Sequence, residues 1–336
     1  MIELLVLTIL VALAFDFING FHDSANAIST IVATRVMTPM QAVSMAAIGN
    51  LIGPLFFSTA IAATIGKGII DTKVIQTLLP QDTFVVMILS ALIGAIAWDI
   101  LTWYFGIPVS SSHALIGGLI GAASVAVGTQ ILLVEGITKV LLFIVLSPLI
   151  GFVAAFLLGL IVMRIFRKSS PEKMNQWFKK LQLFSAFFYS VTHGTNDAQK
   201  TMGIITILLI AGGFLTDFTI PLWVILACHT AICLGTWLGG WRIVKTMAHK
   251  ITQLRPYQGF CAETAGGVVL VYMANLGIPV STTHAIAGSI MGVGSTKNAK
   301  SVRWGVSRNI IWAWIITIPF SAVVGAAAFI LLKLIV

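Results

Sequence analysis

Two aspartates sit in matched surroundings in this chain. Asp23 lies in FDFINGFHDSANAIS, residues 15–29, and Asp197 lies in YSVTHGTNDAQKTMG, residues 189–203. Setting Gly20 against Gly194, an offset of 174, pairs the two aspartates, Asn19 with His193, and Asn26 with Lys200. An offset of 171 pairs His22 with His193 instead; the larger one also matches Phe15 to Tyr189 and is preferred. A glycine beside each carboxylate lets a helix unwind and bare its carbonyls. With the neighbouring amides, this makes an oxygen-rich cage for a small cation. The plainer alternative is a carboxylate that caps a broken helix. Asp23, Asn26, Asp197 and Asn19 are therefore expected at a cation site, with Asp23 and Asp197 as sodium ligands.

A second phrase is also doubled. GIPVSSSHALIGGLIG occupies residues 106–121 and GIPVSTTHAIAGSIMG residues 277–292, with nine of sixteen positions identical at an offset of 171. Such self-similarity marks a duplicated unit. Pro108 and Pro279 suit the first turn of a helix. Ser110, Ser111 and Ser112, and Ser281, Thr282 and Thr283, then place three hydroxyls beside free backbone N–H groups at each helix start. Converging donors and a favourable dipole make this an anion site, and ordinary capping would need one hydroxyl rather than three. Asn196 and Lys200 are grouped with these donors, although Lys200 can equally neutralise Asp197. His22, His113, His193 and His284 fit a supporting or proton-handling role. A zinc centre does not fit, because no cysteine and no close-spaced ligand pair on one helix accompanies them. Asp16, Asp99 and Glu263 also fall in or beside apolar segments and have no acidic counterpart in the other half.

The elements that must position these groups are apolar. Hydrophobic residues make up 58% of the chain and charged residues 9%, against about 25% charged in soluble domains. The mean hydropathy is +1.01. The fold class expected is an all-α polytopic membrane protein with about ten crossings, from apolar stretches long enough to span the bilayer. These stretches fall at 2–33, 41–65, 84–104, 109–133, 139–163, 182–210, 219–240, 260–276, 280–295 and 309–335. The first is overlong with a polar centre and the ninth is short and glycine-rich, so both are expected to be broken or re-entrant. MIELLVLTIL lacks a basic n-region, so the first segment is expected to be retained. The net charge of +9 reflects basic residues in short loops, as membrane topology requires, and nucleic acid is not an expected partner. Cys228, Cys233 and Cys261 have no metal spacing and read as packing residues.

Basic residues set the orientation. Residues 164–180 hold Arg164, Arg167, Lys168, Lys173, Lys179 and Lys180 against Glu172, and form the expected cytoplasmic connector between a first repeat, 1–163, and a second, 181–336. Walking outward from it puts the first GIPV turn inside and the second outside. The halves then have inverted topology, as in secondary transporters, with both termini extracytoplasmic. Gly117, Gly121, Gly288 and Gly292 permit close helix contact, expected between the two hairpins.

NGFHDSANA (19–27), HGTNDAQKTMG (193–203), PVSSSHA and PVSTTHA resemble the paired signatures of the inorganic phosphate transporter (PiT) family. The resemblance covers essentially the whole chain and is of bacterial or archaeal type, since the connector is short. His22 stands where that family often has Asn. The resemblance implies secondary uptake of inorganic phosphate coupled to sodium or a proton, an anion site between inverted repeats, a homodimer, and a multi-pass protein of the inner (plasma) membrane. The family's conserved aspartates map onto Asp23 and Asp197. No resident cofactor is implied; phosphate, the coupling cation and the lipid bilayer are the partners. A sulfate permease of the same family is the nearest alternative, then a metal-phosphate or proton symporter, and then an anion channel. An enzyme is not expected, because no nucleophile–base arrangement can be read.

The basic-loop count makes the topology testable. Cysteine placed at Ser170 is expected to react with an impermeant maleimide only from the cytoplasmic side, and cysteine placed at Asp217 only from the outside. Labelling of both from one face contradicts the inverted arrangement.

Overall fold

The structure is a computed structural model that describes residues 2–55 and 59–335. The expected second stretch, 41–65, therefore includes residues 56–58, which lie outside the described residues. The first half runs α1 (Ile2–Ala33), α2 (Pro39–Ile52), α3 (Ala60–Gly68), α4 (Thr72–Leu78), α5 (Gln81–Phe105), α6 (Ser111–Ala126) and α7 (Val134–Ile165). The second half runs α8 (Pro171–Ala211), α9 (Leu222–Leu238), α10 (Trp241–His249), α11 (Pro256–Asn275), α12 (Thr282–Gly294) and α13 (Trp304–Lys333). Apart from α4, each element of the first half has a counterpart in the same order in the second. The described residues contain no strand, only an isolated bridge between Ile70 and Leu132.

Among the described residues four helices, α1, α5, α7 and α13, are long and apolar enough to cross a membrane, and up to six spans result if each bent pair counts as one. On α7, Leu141, Val145, Leu149, Val153, Leu157 and Ile161 are exposed. Their spacing of four makes one apolar stripe, as a lipid-facing helix requires. At about 1.5 Å per residue, α6 and α12, of 16 and 13 residues, fall short of a hydrocarbon core about 30 Å thick. Each is the short arm of a helical hairpin, with α5 and α11 as the long arms.

The doubled GIPV phrase is the hairpin turn. Gly106 and Gly277 have φ of 66° and 65°, the left-handed region that ends a helix and favours glycine. Ser110 and Ser281 are extended N-caps whose Oγ atoms accept from His113 N and His284 N at 3.3 and 3.2 Å. Pro108 and Pro279 thus lie before the cap, not in the first helical turn as expected. Proline favours an extended residue before it, which suits this linker.

Two further expectations are corrected, on the Gly20 and Gly194 breaks and on the hairpin glycines. Helices α1 and α8 run unbroken through Gly20 and Gly194, so no carbonyls are bared there. These glycines instead admit close neighbours: a Cβ on Gly20 would lie 2.4 Å from Ile232 O, and one on Gly194 2.5 Å from Asn50 Cα. The break falls in another element, between α9 and α10, which meet at 69° at Gly239 and Gly240. The connector 164–180 is helical from Pro171 onward, with Ser170 as its N-cap. The glycine pairs of the hairpins do not pack on each other. Gly117 and Gly121 lie against Ile318 and Ala322 of α13, and Gly288 and Gly292 against Pro148 and Phe152 of α7. Each hairpin therefore docks on the last long helix of the opposite half.

The contact is backbone to backbone. A Cβ at Gly121 would come 1.9 Å from Ala322 O, and one at Gly292 2.1 Å from Phe152 O. Gly121→Ala and Gly292→Ala are each expected to destabilise by about 1–3 kcal/mol, the usual cost of overpacking. The checking measurement is the thermal unfolding midpoint in detergent; Gly305→Ala, which meets nothing within 4 Å, is the control and is expected to be neutral.

Candidate functional site

Every sequence-derived site residue is buried. Asp23, Asn26, Asn19 and His22 on α1, and His193, Asn196, Asp197 and Lys200 on α8, are between 0% and 3% exposed. So are Ser110, Ser111, Ser112 and His113 of the first hairpin, and Ser281, Thr282, Thr283 and His284 of the second. Residues Asp16, Asn19, Asp23 and Asn26 recur at three- and four-residue spacing, which lines one face of α1. Asp197 and Lys200 do the same on α8.

The two aspartates meet. Ligand-type atoms of Asp23, His193 and Asp197 all lie within 4.8 Å of one another. The second hairpin joins the carboxylates. Thr282 Oγ1 lies 3.2 Å from Asp197 Oδ2, where it donates, and Thr283 Oγ1 lies 3.4 Å from Asp23 Oδ2. Asn26 Nδ2 donates to Thr283 Oγ1 at 2.9 Å and reaches Thr282 Oγ1 at 3.4 Å. Tyr189 Oη donates to Thr282 O at 3.2 Å and fixes the start of α12. Lys200 Nζ contacts Asp197 Oδ1 directly.

The histidines divide into two kinds. His22 Nδ1 lies 2.7 Å from Asp23 Oδ1 and Nε2 3.1 Å from Thr102 Oγ1. Thr102 Oγ1 also lies 2.8 Å from Trp98 O, so α5 holds the far side of the His22 ring. On the other side, Asn50 Nδ2 donates to Thr236 Oγ1, which leaves Asn50 Oδ1 as the acceptor facing His193 Nδ1 at 3.3 Å. His193 Nε2 then stands 3.1 Å from Asp197 Oδ2. The other two histidines bring the hairpins together. Their rings are 4.9 Å apart, and His284 stacks on Trp314 at 3.9 Å. Trp314 Nε1 donates to Pro108 O at 3.0 Å and so ties α13 to the first turn.

The six hydroxyls are not equivalent. Ser110 and Ser281 cap their helices, which is the plain role. Thr282 and Thr283 are committed to carboxylates. Ser111 Oγ is buried with no hydrogen-bond partner. The same is true of Asn19 Oδ1, Asn196 Oδ1 and both oxygens of Asp99. Asn196 Nδ2 is spent on Thr192 O at 2.8 Å. Of the unmatched acids, Asp16 accepts from Thr201 at 2.9 Å. Glu263 is held by Gln182 Nε2 at 2.9 Å and by Ser185 Oγ, away from the paired carboxylates.

Several residues at this centre escape a reading of repeats. Thr102, Asn50, Thr236 and Trp314 lie outside both doubled phrases. Asn50 carried a usable signal, being an asparagine near the end of an apolar helix.

Apolar helices around a closed polar centre, built from two matched halves, define a multi-pass membrane transport protein. The comparisons give it a family. A model of the phosphate transporter family matches residues 19–325. The chain is 52% identical to a Rhizobium meliloti protein named "probable low-affinity inorganic phosphate transporter", over 97% of this chain and 96% of that one. A Bacillus subtilis protein of the same name is 46% identical over 99% of both. The fold also matches a solved structure named "The sodium-dependent phosphate transporter", with a TM-score of 0.88 at 24% identity over 99% of this chain and 100% of that one. The chain belongs to the phosphate transporter family, and it is a transporter and not an enzyme.

The division of the hydroxyls can be tested. Ser110→Ala removes a cap and is expected to cost about 0.5–2 kcal/mol of stability with phosphate half-saturation little changed. Ser111→Ala is expected to leave stability unchanged and to raise half-saturation roughly 10- to 150-fold, the equivalent of one charged hydrogen bond of about 1.5–3 kcal/mol. The reverse pattern in unfolding and uptake assays rejects the division.

Proposed function

We propose that this protein imports inorganic phosphate through the plasma membrane, driven by a cation gradient, with sodium as the coupling ion. One observation carries the reading: the paired carboxylates of the two halves lie together against the hydroxyl-rich start of α12, and the first hairpin meets that start through the His113 and His284 rings. The carboxylates supply the charge for a cation. Ser111, Ser112 and the first N–H groups of α6 and α12, which have no intrahelical acceptor, supply donors for the anion. Binding of the cation removes the repulsion that two carboxylates exert on an incoming anion, and this links the two binding events.

Phosphate fits better than sulfate, because it retains a proton that it can give to a carboxylate. Sodium fits the oxygen-rich surroundings, in which the carboxylates, Asn19 Oδ1 and Asn196 Oδ1 are all hard donors. Proton coupling is the second reading, and His22 against Asp23 favours it. In keeping with the matched order of elements, we assign the halves inverted topology, about ten crossings, both termini outside, and assembly as a homodimer. Alternating access follows as rocking of one half against the other around a fixed centre.

Proteoliposomes holding the purified protein are expected to accumulate labelled phosphate down a sodium gradient at fixed pH, with arsenate competing more strongly than sulfate. Asp23→Asn and Asp197→Asn are each expected to reduce this uptake to the level of empty vesicles. Full uptake on a proton gradient without sodium selects the proton reading. Near-normal concentrative uptake by both variants refutes coupling through these carboxylates.

A further inference from the structure

Asn26 and Lys200 occupy the same place in the two copies, three residues after Asp23 and Asp197. Both face the joined carboxylates, but one is a neutral amide and the other an ammonium. Asn26 spends its amide on Thr282 and Thr283. Lys200 contacts Asp197 Oδ1, with Lys200 2% and Asp197 0% exposed. Asp197 Oδ2 receives Thr282 Oγ1 at 3.2 Å and faces His193 Nε2 at 3.1 Å. Both oxygens of the second carboxylate are thus engaged by the chain itself. Asp23 meets only groups without a fixed positive charge among the described residues: His22 Nδ1 at 2.7 Å, charged only if protonated, and Thr283 Oγ1 at 3.4 Å.

An ammonium and a sodium ion carry the same charge, and both are satisfied by carboxylate oxygen. The difference is the tether. A lysine buried against its aspartate cannot withdraw without leaving an unpaired charge in an apolar interior, which is strongly unfavourable. We infer that Lys200 is a tethered cation. Its ammonium permanently supplies, at Asp197, the positive charge that the matched first copy does not fix at Asp23, so each transport cycle carries one mobile cation fewer than two equivalent carboxylates would take. Asp23 and Asp197 together contribute two negative charges and Lys200 returns one, so a single mobile cation neutralises the pair before phosphate binds. On this assignment Lys200 sets the coupling ratio and does not itself grip the anion. The inference rests on Asp23 being the exchangeable cation position.

The test is the cation-to-phosphate ratio, measured in proteoliposomes as the opposing phosphate gradient that just stops uptake driven by a known cation gradient. The cation is whichever of sodium or proton drives the wild-type protein. Lys200→Asn copies the first half into the second, and its ratio is expected to rise by one. Lys200→Arg keeps a fixed charge and is expected to hold the wild-type ratio. Equal ratios in wild type and Lys200→Asn overturn the inference. If Lys200→Asn does not transport, the unfolding midpoint of the purified protein is titrated with sodium instead. A second saturable sodium stabilisation, beyond the single one expected of the wild type, upholds the inference, and identical sodium dependence overturns it. A wild-type protein that accumulates phosphate with no cation gradient refutes the proposed function, whereas unchanged ratios refute only the role of Lys200.

Discussion

Two carboxylates buried side by side are the constraint on which this molecule turns. Neither Asp23 nor Asp197 has access to bulk water, and an ionised carboxylate in an apolar interior is costly unless it is paired and hydrogen-bonded. The groups at the centre answer that cost: Lys200 on one oxygen, Thr282 and Thr283 on two others, His22 on the fourth, and Asn26 orienting both threonines. They come from α1, α8 and α12, so helices of both halves must be held in register to within a fraction of a hydrogen-bond length.

That register comes from small residues and from caps that cross between the halves. The glycine faces of α6 and α12 let them lie against the proline-containing helices α13 and α7 at backbone distance. Pro148 cannot donate to the carbonyl of Ile144 one turn earlier in α7. The aspartate motifs also pin the short helices of the opposite half. Ser24 Oγ accepts from Gly240 N at 2.6 Å where α10 begins, and Gln199 Oε1 accepts from Ile61 N at 2.9 Å where α3 begins. A displacement at either motif is therefore transmitted to a bent element of the other half. A rocking mechanism needs such a linkage.

The centre is nevertheless asymmetric. One copy places an amide where the other places an ammonium. The serines of one hairpin include an uncommitted hydroxyl, whereas the threonines of the other serve the carboxylates. The matched copies thus differ in charge: the second half sets the Lys200 ammonium on its carboxylate, and the first sets only His22 and Thr283 on its own. A transporter benefits from this division, because an ion that must leave again cannot be held by every available ligand.

The sequence by itself determined the membrane class, the doubled phrases, most of the long apolar helices and the identity of the paired aspartates, although it missed α4 and α10 and began α8 at residue 182 where the helix begins at Pro171. Those features are local or periodic, and they survive as composition, spacing and self-similarity. It also marked Ser110–Ser112 and Ser281–Thr283 as special, but could not sort caps from free donors, since a cap is defined by which N–H a hydroxyl reaches. Gly20 and Gly194 show the limit most clearly. Glycine in a polar stretch is equally consistent with unwinding and with close packing. Only the approach of Ile232 and Asn50 from other helices decided for packing. The pairing of Thr282 with Asp197 and of Thr283 with Asp23, across 85 and 260 residues, belongs wholly to the tertiary structure. So does the choice of Lys200 to neutralise Asp197, because a contact between side chains depends on how two helices are turned toward a third.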